Sequence, residues 1–188
     1  MAIDVAQGGR EWVEVDGVGM IEVVLTDLEL GYLIPCVAMQ RDEMGKKAHA
    51  DNAKYGHKGD SLETHEVGCK GECACAKGLN VYWSGAGQDF HHDTDVSGYL
   101  VRLALNEYSR KGYPASLIVR PAEKYEPDAI WIMVIQRDDP NTFLVRGWIY
   151  DADARQEQWL RAPNGREAAY FVPQDALEPM DTLPSREP

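Results

Sequence analysis

Three residues carry the clearest chemical potential in this chain: Glu72, Asp95 and Arg102. Glu72 closes the stretch Gly68-Cys-Lys-Gly-Glu72, and Asp95 opens the run Asp95-Val-Ser-Gly-Tyr-Leu-Val-Arg-Leu-Ala-Leu105. A helical carboxylate, an aspartate at a strand start and a cation shortly after it could together hold one divalent ion and steady a phosphate. Magnesium prefers carboxylate oxygens and water, and one or two protein carboxylates suffice. Manganese would fit the same ligands. Arg102 would then stabilise the charge that develops on a phosphoryl oxygen. Each residue also has a plainer reading. Glu72 would be a boundary glutamate that reaches water or pairs with a lysine. Asp95 would be a turn aspartate. Arg102 would be a strand arginine that snorkels to solvent or pairs with Glu72.

Strand parity sets a condition on the first reading. Asp95 and Arg102 are seven residues apart and fall on opposite sides of a regular strand. A bulge at Ser97-Gly98 would reset the alternation and bring them to one face. If Glu72 and Asp95 cluster, their mutual repulsion predicts that replacing either by Ala leaves stability little changed.

Other chemistries find less support. His91-His92-Asp93-Thr94-Asp95 offers zinc-type ligands, but adjacent histidines chelate one ion poorly. The spacing of Cys69, Cys73 and Cys75 is not C-x-x-C. There is no G-x-S-x-G, no P-loop and no G-x-G-x-x-G.

The elements that must position these residues follow from periodicity and turn signals. Residues 1–16 read as a polar lead-in. Val18–Leu30 is rich in β-branched residues and predicts a strand. Gly31 to Tyr55 predicts a helix with Pro35 in its first turn, and Gly56 to Asp60 a loop. Ser61 to Lys77 predicts a second helix, capped at Ser61 and ended by Gly78 at C′. Its small residues, Gly68, Cys69, Gly71, Ala74 and Ala76, allow close approach to a sheet. Further strands are expected at 81–83, 96–105, 116–120, 129–136, 142–149 and 168–172, with turns at Lys111-Gly-Tyr-Pro114, Glu126-Pro-Asp128 and Asp138-Asp-Pro-Asn141. The tail after Pro179 reads as disordered. The order predicts an α+β domain over residues 1–180, with helices packed on one central twisted, mostly antiparallel mixed sheet. Within it, 16–60 form an N-terminal strand and helix, 61–150 the core and 151–180 a C-terminal extension, followed by a tail at 181–188.

The chain has 188 residues, enough for one domain with a sizeable core. No apolar run approaches the ~20 residues of a membrane span, so no membrane association is expected. The opening MAIDVAQGGREW predicts no secretory leader. Four cysteines, three of them on one expected helix, predict free thiols and a cytoplasmic protein. The net charge of -12, from 31 acidic against 19 basic residues, lowers the expectation of duplex binding. It fits a solvated surface, or a protein partner that itself binds nucleic acid.

On these residues the chain resembles the PD-(D/E)XK nuclease superfamily. Glu72 matches the helical glutamate, Asp95 the strand aspartate, and Leu100-Val101-Arg102 falls where (Glu/Gln)-x-Lys is expected. Arg102 keeps the charge of the family lysine, whereas Leu100 removes one metal ligand. The chain is also similar to a group of bacteriophage proteins that share a G-x-x-G-E helix, an Asp-Val-Gly strand start, Leu-Ile-Val-Arg, Gly-Trp-Ile and Phe-Val-Pro-Gln. Here these are Gly68–Glu72, Asp95–Ser97, Leu117–Arg120, Gly147–Ile149 and Phe171–Gln174. The match spans roughly residues 45 to 180, and Ser97 stands where that group has glycine. The resemblance implies a restriction-endonuclease-like core, a magnesium or manganese ion held by Glu72 and Asp95, and DNA as the partner. It leaves two readings: a nuclease or a degenerate nuclease fold that grips DNA, or a non-catalytic acidic protein that binds and inhibits a host enzyme or defence complex.

Overall fold

The computed structural model describes residues 9–15, 17–48, 61–85, 94–108, 112–163 and 166–185. The expected His91-His92-Asp93 cluster, the loop 56–60 and the distal part of the first helix lie outside them. The fold is α+β, as expected. A five-stranded mixed sheet in the order β1-β2-β6-β5-β3 carries helices on one face and a three-stranded sheet, β4-β8-β7, on the other. Its strands are β1 (Arg10–Val15), β2 (Val18–Val24), β3 (Tyr99–Ala104), β5 (Ile130–Gln136) and β6 (Thr142–Tyr150). The smaller sheet is built from β4 (Leu117–Val119), β7 (Leu160–Arg161) and β8 (Ala169–Val172). All pairings are antiparallel except β3 with β5.

Alternation along the strands divides the core in two. On β5, Ile130, Ile132 and Val134 join the helix-side cluster, while Trp131, Met133 and Ile135 join the cluster under the small sheet. β5 is buried on both faces, which is why IWIMVI reads as a continuous apolar run rather than an alternating one.

The first helix begins with a π-helical turn, Glu29–Leu33, and continues as α1, Ile34–Ala48. The expected strand over Val18–Leu30 therefore ends at Val24. Thr26 and Glu29 explain the change. Glu29 N–H donates to Thr26 Oγ1 at 3.2 Å, and Thr26 N–H donates back to Glu29 Oε2 at 2.6 Å. This reciprocal cap starts a helix at T-D-L-E. The second helix, α2, spans Ser61–Leu79. Its end differs from expectation: Asn80, at φ 58°, is the C′ residue, with Asn80 N–H on Lys77 O at 3.2 Å and Val81 N–H on Ala76 O at 2.9 Å. Gly78 serves packing instead, since a Cβ there would lie 3.0 Å from Val145 and 3.2 Å from Val23. Gly71 does the same against β3, where a Cβ would meet Leu103 Cβ at 2.8 Å.

Three further expectations are corrected. The lead-in is polar but contains β1, which pairs along its length with β2. Val81–Trp83 joins no sheet. The segment after Pro179 is ordered at its start: Met180–Thr182 forms a 3-10 turn, Met180 is buried, and Tyr99 Oη donates to Pro184 O at 2.7 Å. Within the C-terminal extension, β7 and β8 join β4 in the small sheet on the second face of the central sheet.

Candidate functional site

Glu72 lies in the middle of α2, turned toward α1 and Trp83, and is 6% exposed. A buried carboxylate needs partners, and it has them. Arg41 of α1 donates Nη1 to Oε1 and Nη2 to Oε2, both at 2.7 Å. Trp83 Nε1 donates to Oε2 at 3.1 Å. The forked guanidinium meets both oxygens in the geometry that makes Arg–carboxylate pairs strong. Arg41 Nε also donates to Gly85 O at 3.3 Å, tying the segment after α2 to α1. Burial alone would lower the Arg41 pKa, but the hydrogen bonds and charge of Glu72 outweigh it and raise it. His65, one face along α2, has its pKa lowered by burial and by Arg41.

Asp95 is positioned differently. Ser97 (φ 43°) and Gly98 (φ 87°) both have left-handed backbone, and Tyr99 N–H donates to Val96 O at 2.9 Å. This is a two-residue turn of type I′ rather than the expected bulge. It folds Asp95 back beside the start of β3, with Asp95 N–H on Tyr99 O at 2.8 Å. Asp95 is thus not a strand residue, and the parity argument does not apply to it. Its Oδ2 accepts the N–H of Val101 at 2.7 Å. Burial, opposed by that hydrogen bond and by Arg102, and reinforced by the charge of Glu72, pushes the Asp95 carboxyl up from 3.8 to about 6.

Arg102 shares its side of β3 with Leu100 and Ala104, on the face toward the small sheet. Its guanidinium lies over the Trp131 ring, 4.4 Å from the centroid, and pairs with Glu123. Nη1 donates to Val101 O at 3.0 Å and stands 3.9 Å from Asp95 Oδ2. Beside it a cavity of about 180 Å³ is lined by Arg102, Ser116, Ile118, Arg120 and Met133. Asp95 and Arg102 therefore meet at the sheet edge, and the field of Glu72 reaches Asp95. Glu72 and Arg102 are kept on opposite faces of the sheet.

The fit of a divalent ion can be judged from these contacts. Both oxygens of Glu72 are taken by Arg41, which places a cation where a metal would have to sit. Leu100, at the position of the third ligand, packs into the apolar cluster under the small sheet. Among the described residues, no group of three or more His, Cys, Asp or Glu side chains is arranged to hold a metal. Among the described residues, the carboxylates around Asp95 are already engaged by arginines, Glu72 by Arg41 and Glu123 by Arg102, so these residues do not fit the magnesium or manganese site that the resemblance implies. Cys69, Cys73 and Cys75 are free and buried. Burial pushes the Cys69 and Cys73 thiols up to about 12, which makes them apolar filling rather than nucleophiles.

Two functional partners escaped the sequence reading. Arg41 was one of several cations on an expected helix, and only the packing of α1 on α2 singles it out. Asp151, 1% exposed, accepts Trp131 Nε1 at 2.8 Å, Arg155 Nε at 2.8 Å and Glu126 N–H at 3.0 Å. Its i,i+4 spacing to Arg155 was a legible signal. This clamp fixes the loop that supplies Glu123 to Arg102. No helix among the described residues is long and apolar enough to cross a membrane. No family model, no curated protein and no solved structure matches this chain.

Proposed function

We propose that the chain is a non-catalytic binding protein that carries a nuclease-like order of residues and acts through its acidic surface on a basic protein, one whose own ligand is nucleic acid. The observation that carries this reading is the forked Arg41–Glu72 pair. It uses the one helical carboxylate that metal-assisted hydrolysis would require, and Arg102 lies across the sheet from it. The net charge of -12 disfavours a phosphate backbone and favours a cationic partner. Exposed carboxylates are spread over several elements, among them Glu11, Glu14, Asp128, Asp138, Asp153 and Asp175. A host enzyme or defence complex with a nucleic-acid-binding face fits that chemistry.

Two measurements test it. The purified chain should neither nick nor cleave DNA with magnesium or manganese, and its melting temperature should not rise with either ion. Immobilised chain should retain basic proteins from a host lysate and release them to heparin or duplex DNA at constant ionic strength. Retention indifferent to both competitors would remove the charge-mimicry argument.

The nuclease reading draws on one observation, the Asp95 carboxyl raised to about 6 within the field of Glu72. A bound cation would relieve that strain. It predicts a metal-induced rise in melting temperature that disappears in Asp95→Asn. It also predicts a gain of EDTA-sensitive cleavage in Leu100→Glu or Leu100→Gln.

A further inference from the structure

The two edges of the central sheet end differently. At the β3 edge the backbone of Val101 is closed on both sides: its N–H donates to Asp95 Oδ2, and its carbonyl accepts from Arg102 Nη1. The β1 edge has no such cover among the described residues. Gly9 O accepts Val24 N–H at 2.9 Å, and β1 pairs with β2 without a register break from Arg10–Val23 to Val15–Val18. In an antiparallel ladder the bonded positions alternate. The odd residues of β1 therefore bond to β2, and Arg10, Trp12 and Glu14 point their N–H and C=O groups away from the sheet. The strand has no proline, lysine or bulge; its edge protection is limited to the charges of Arg10, Glu11 and Glu14, two of which stand at the outward-bonding positions. Trp12 is 59% exposed on this edge.

We propose that β1 pairs antiparallel with β1 of a second copy of this chain, with the two-fold axis at Trp12. Only positions with outward polar groups can pair, and this register uses all of them. Trp12 faces Trp12 of the second copy. Arg10 faces Glu14 of the second copy, and Glu14 faces Arg10. Each of the three pairs exchanges both of its N–H···O bonds. Sliding by one bonded position sets Arg10 or Glu14 against Trp12 and loses the matched charges. Arg10 Nη1 donates to Gly78 O at 2.7 Å, which holds the guanidinium on the helix side of the sheet. Trp12 and Glu14 have the same parity and stand on that side too, where directly opposed side chains interact. The net charge of -12 on each copy opposes association. The alternation Arg-x-Trp-x-Glu in β1 supplies the local attraction against it. The result is one continuous sheet through both copies, with the Asp95–Arg102 caps at its two outer ends.

Light scattering after size exclusion, over a series of protein concentrations, tests this on the full chain. The apparent mass should double as concentration rises. Tryptophan emission should shift to shorter wavelength with it, because Trp12 is the one exposed tryptophan. Glu14→Arg sets Arg against Arg10 twice and should raise the midpoint concentration of dimerisation by roughly tenfold or more. The double variant Arg10→Glu, Glu14→Arg should restore it. Glu14→Pro removes an outward N–H that β2 does not use, and should also leave the protein folded and monomeric. A wild-type chain that stays monomeric throughout overturns the proposal. So does a dimer that ignores both Glu14→Arg and Glu14→Pro.

Discussion

Glu72 and Asp95 are two carboxylates within one another's field, yet the chain treats them in opposite ways. Glu72 is sealed between helices and met on both oxygens by Arg41, with Trp83 as a third donor. Asp95 sits at the sheet edge with 28% of its side chain exposed, takes one backbone N–H, and has its nearest cation at 3.9 Å. The first site has its partners built in. The second is burdened by burial and incompletely compensated, and its raised pKa records the difference. A carboxylate that is already neutralised holds a fold together; one that is under-compensated is where a proton, and in another context a cation, finds its place.

The sharpest way to break the comparison is to remove each carboxylate in turn. Clustered negative charge alone would let both go at little cost, but Arg41 reverses that expectation for Glu72. Glu72→Ala strands a buried guanidinium and should cost about 3–5 kcal/mol. The double variant Glu72→Leu, Arg41→Met should recover a large part of the loss, because no unpaired charge remains. Denaturant melts of the three proteins check this. A Glu72→Ala protein as stable as wild type would mean that the pair does not hold α1 to α2.

Asp95 should respond through pH. In the fold its carboxyl keeps a proton up to about pH 6, whereas the unfolded chain releases it near 3.8. Between these values the folded state binds more protons, so stability from this group falls as pH rises through the window and stays low above it. Asp95→Asn cannot ionise, and Asn can still accept the Val101 N–H. It should match wild type near pH 4 and exceed it by roughly 1–2 kcal/mol at pH 8. Melting temperatures across that range give the answer. A difference between the two proteins that does not change with pH would show that Asp95 is ordinary.

Arg102→Ala probes the far side of Asp95. It removes the stack on Trp131, the pair with Glu123 and the donor to Val101 O. The side chain is 32% exposed, so each contribution is screened, and the loss should be about 1 kcal/mol. Its effect should not add to that of Asp95→Asn, since the two share the β3 edge. Strict additivity would separate them.

Much of this architecture was legible in the sequence, and the misses have identifiable causes. α2 declared itself through small residues at helical spacing, and β5 through an unbroken apolar run. The β-branched content of Val18–Leu30 points to one long strand, but the T-D-L-E cap at Thr26 ends it at Val24. The helical position of Glu72 is legible in the sequence, but its partner is not, because Arg41 lies 31 residues away and meets it only in three dimensions. Asp95 and Arg102 do come together through Ser97-Gly98, but by a different device from the expected bulge. Sequence spacing alone points to a perturbation within a strand, whereas two consecutive left-handed positions make a reversal before it.

That reversal supplies the smallest and most specific test. A type I′ turn needs positive φ at both central positions. Gly98 meets this freely at 87°, but Ser97 adopts 43° with a Cβ in place. A non-glycine residue there costs about 1 kcal/mol, and part of that is offset because glycine loses more freedom on folding. Ser97→Gly should therefore stabilise the chain by roughly 0.5–1 kcal/mol. Thr94 Oγ1, which accepts the Gly98 N–H at 3.1 Å, remains in place to hold the turn. The stabilisation should leave the pH profile of Asp95 unchanged, because the turn geometry that sets its environment is the same. If Ser97→Gly instead shifts that profile, the turn and the carboxylate are one mechanical unit, and the contrast between Glu72 and Asp95 lies in backbone strain as well as in charge.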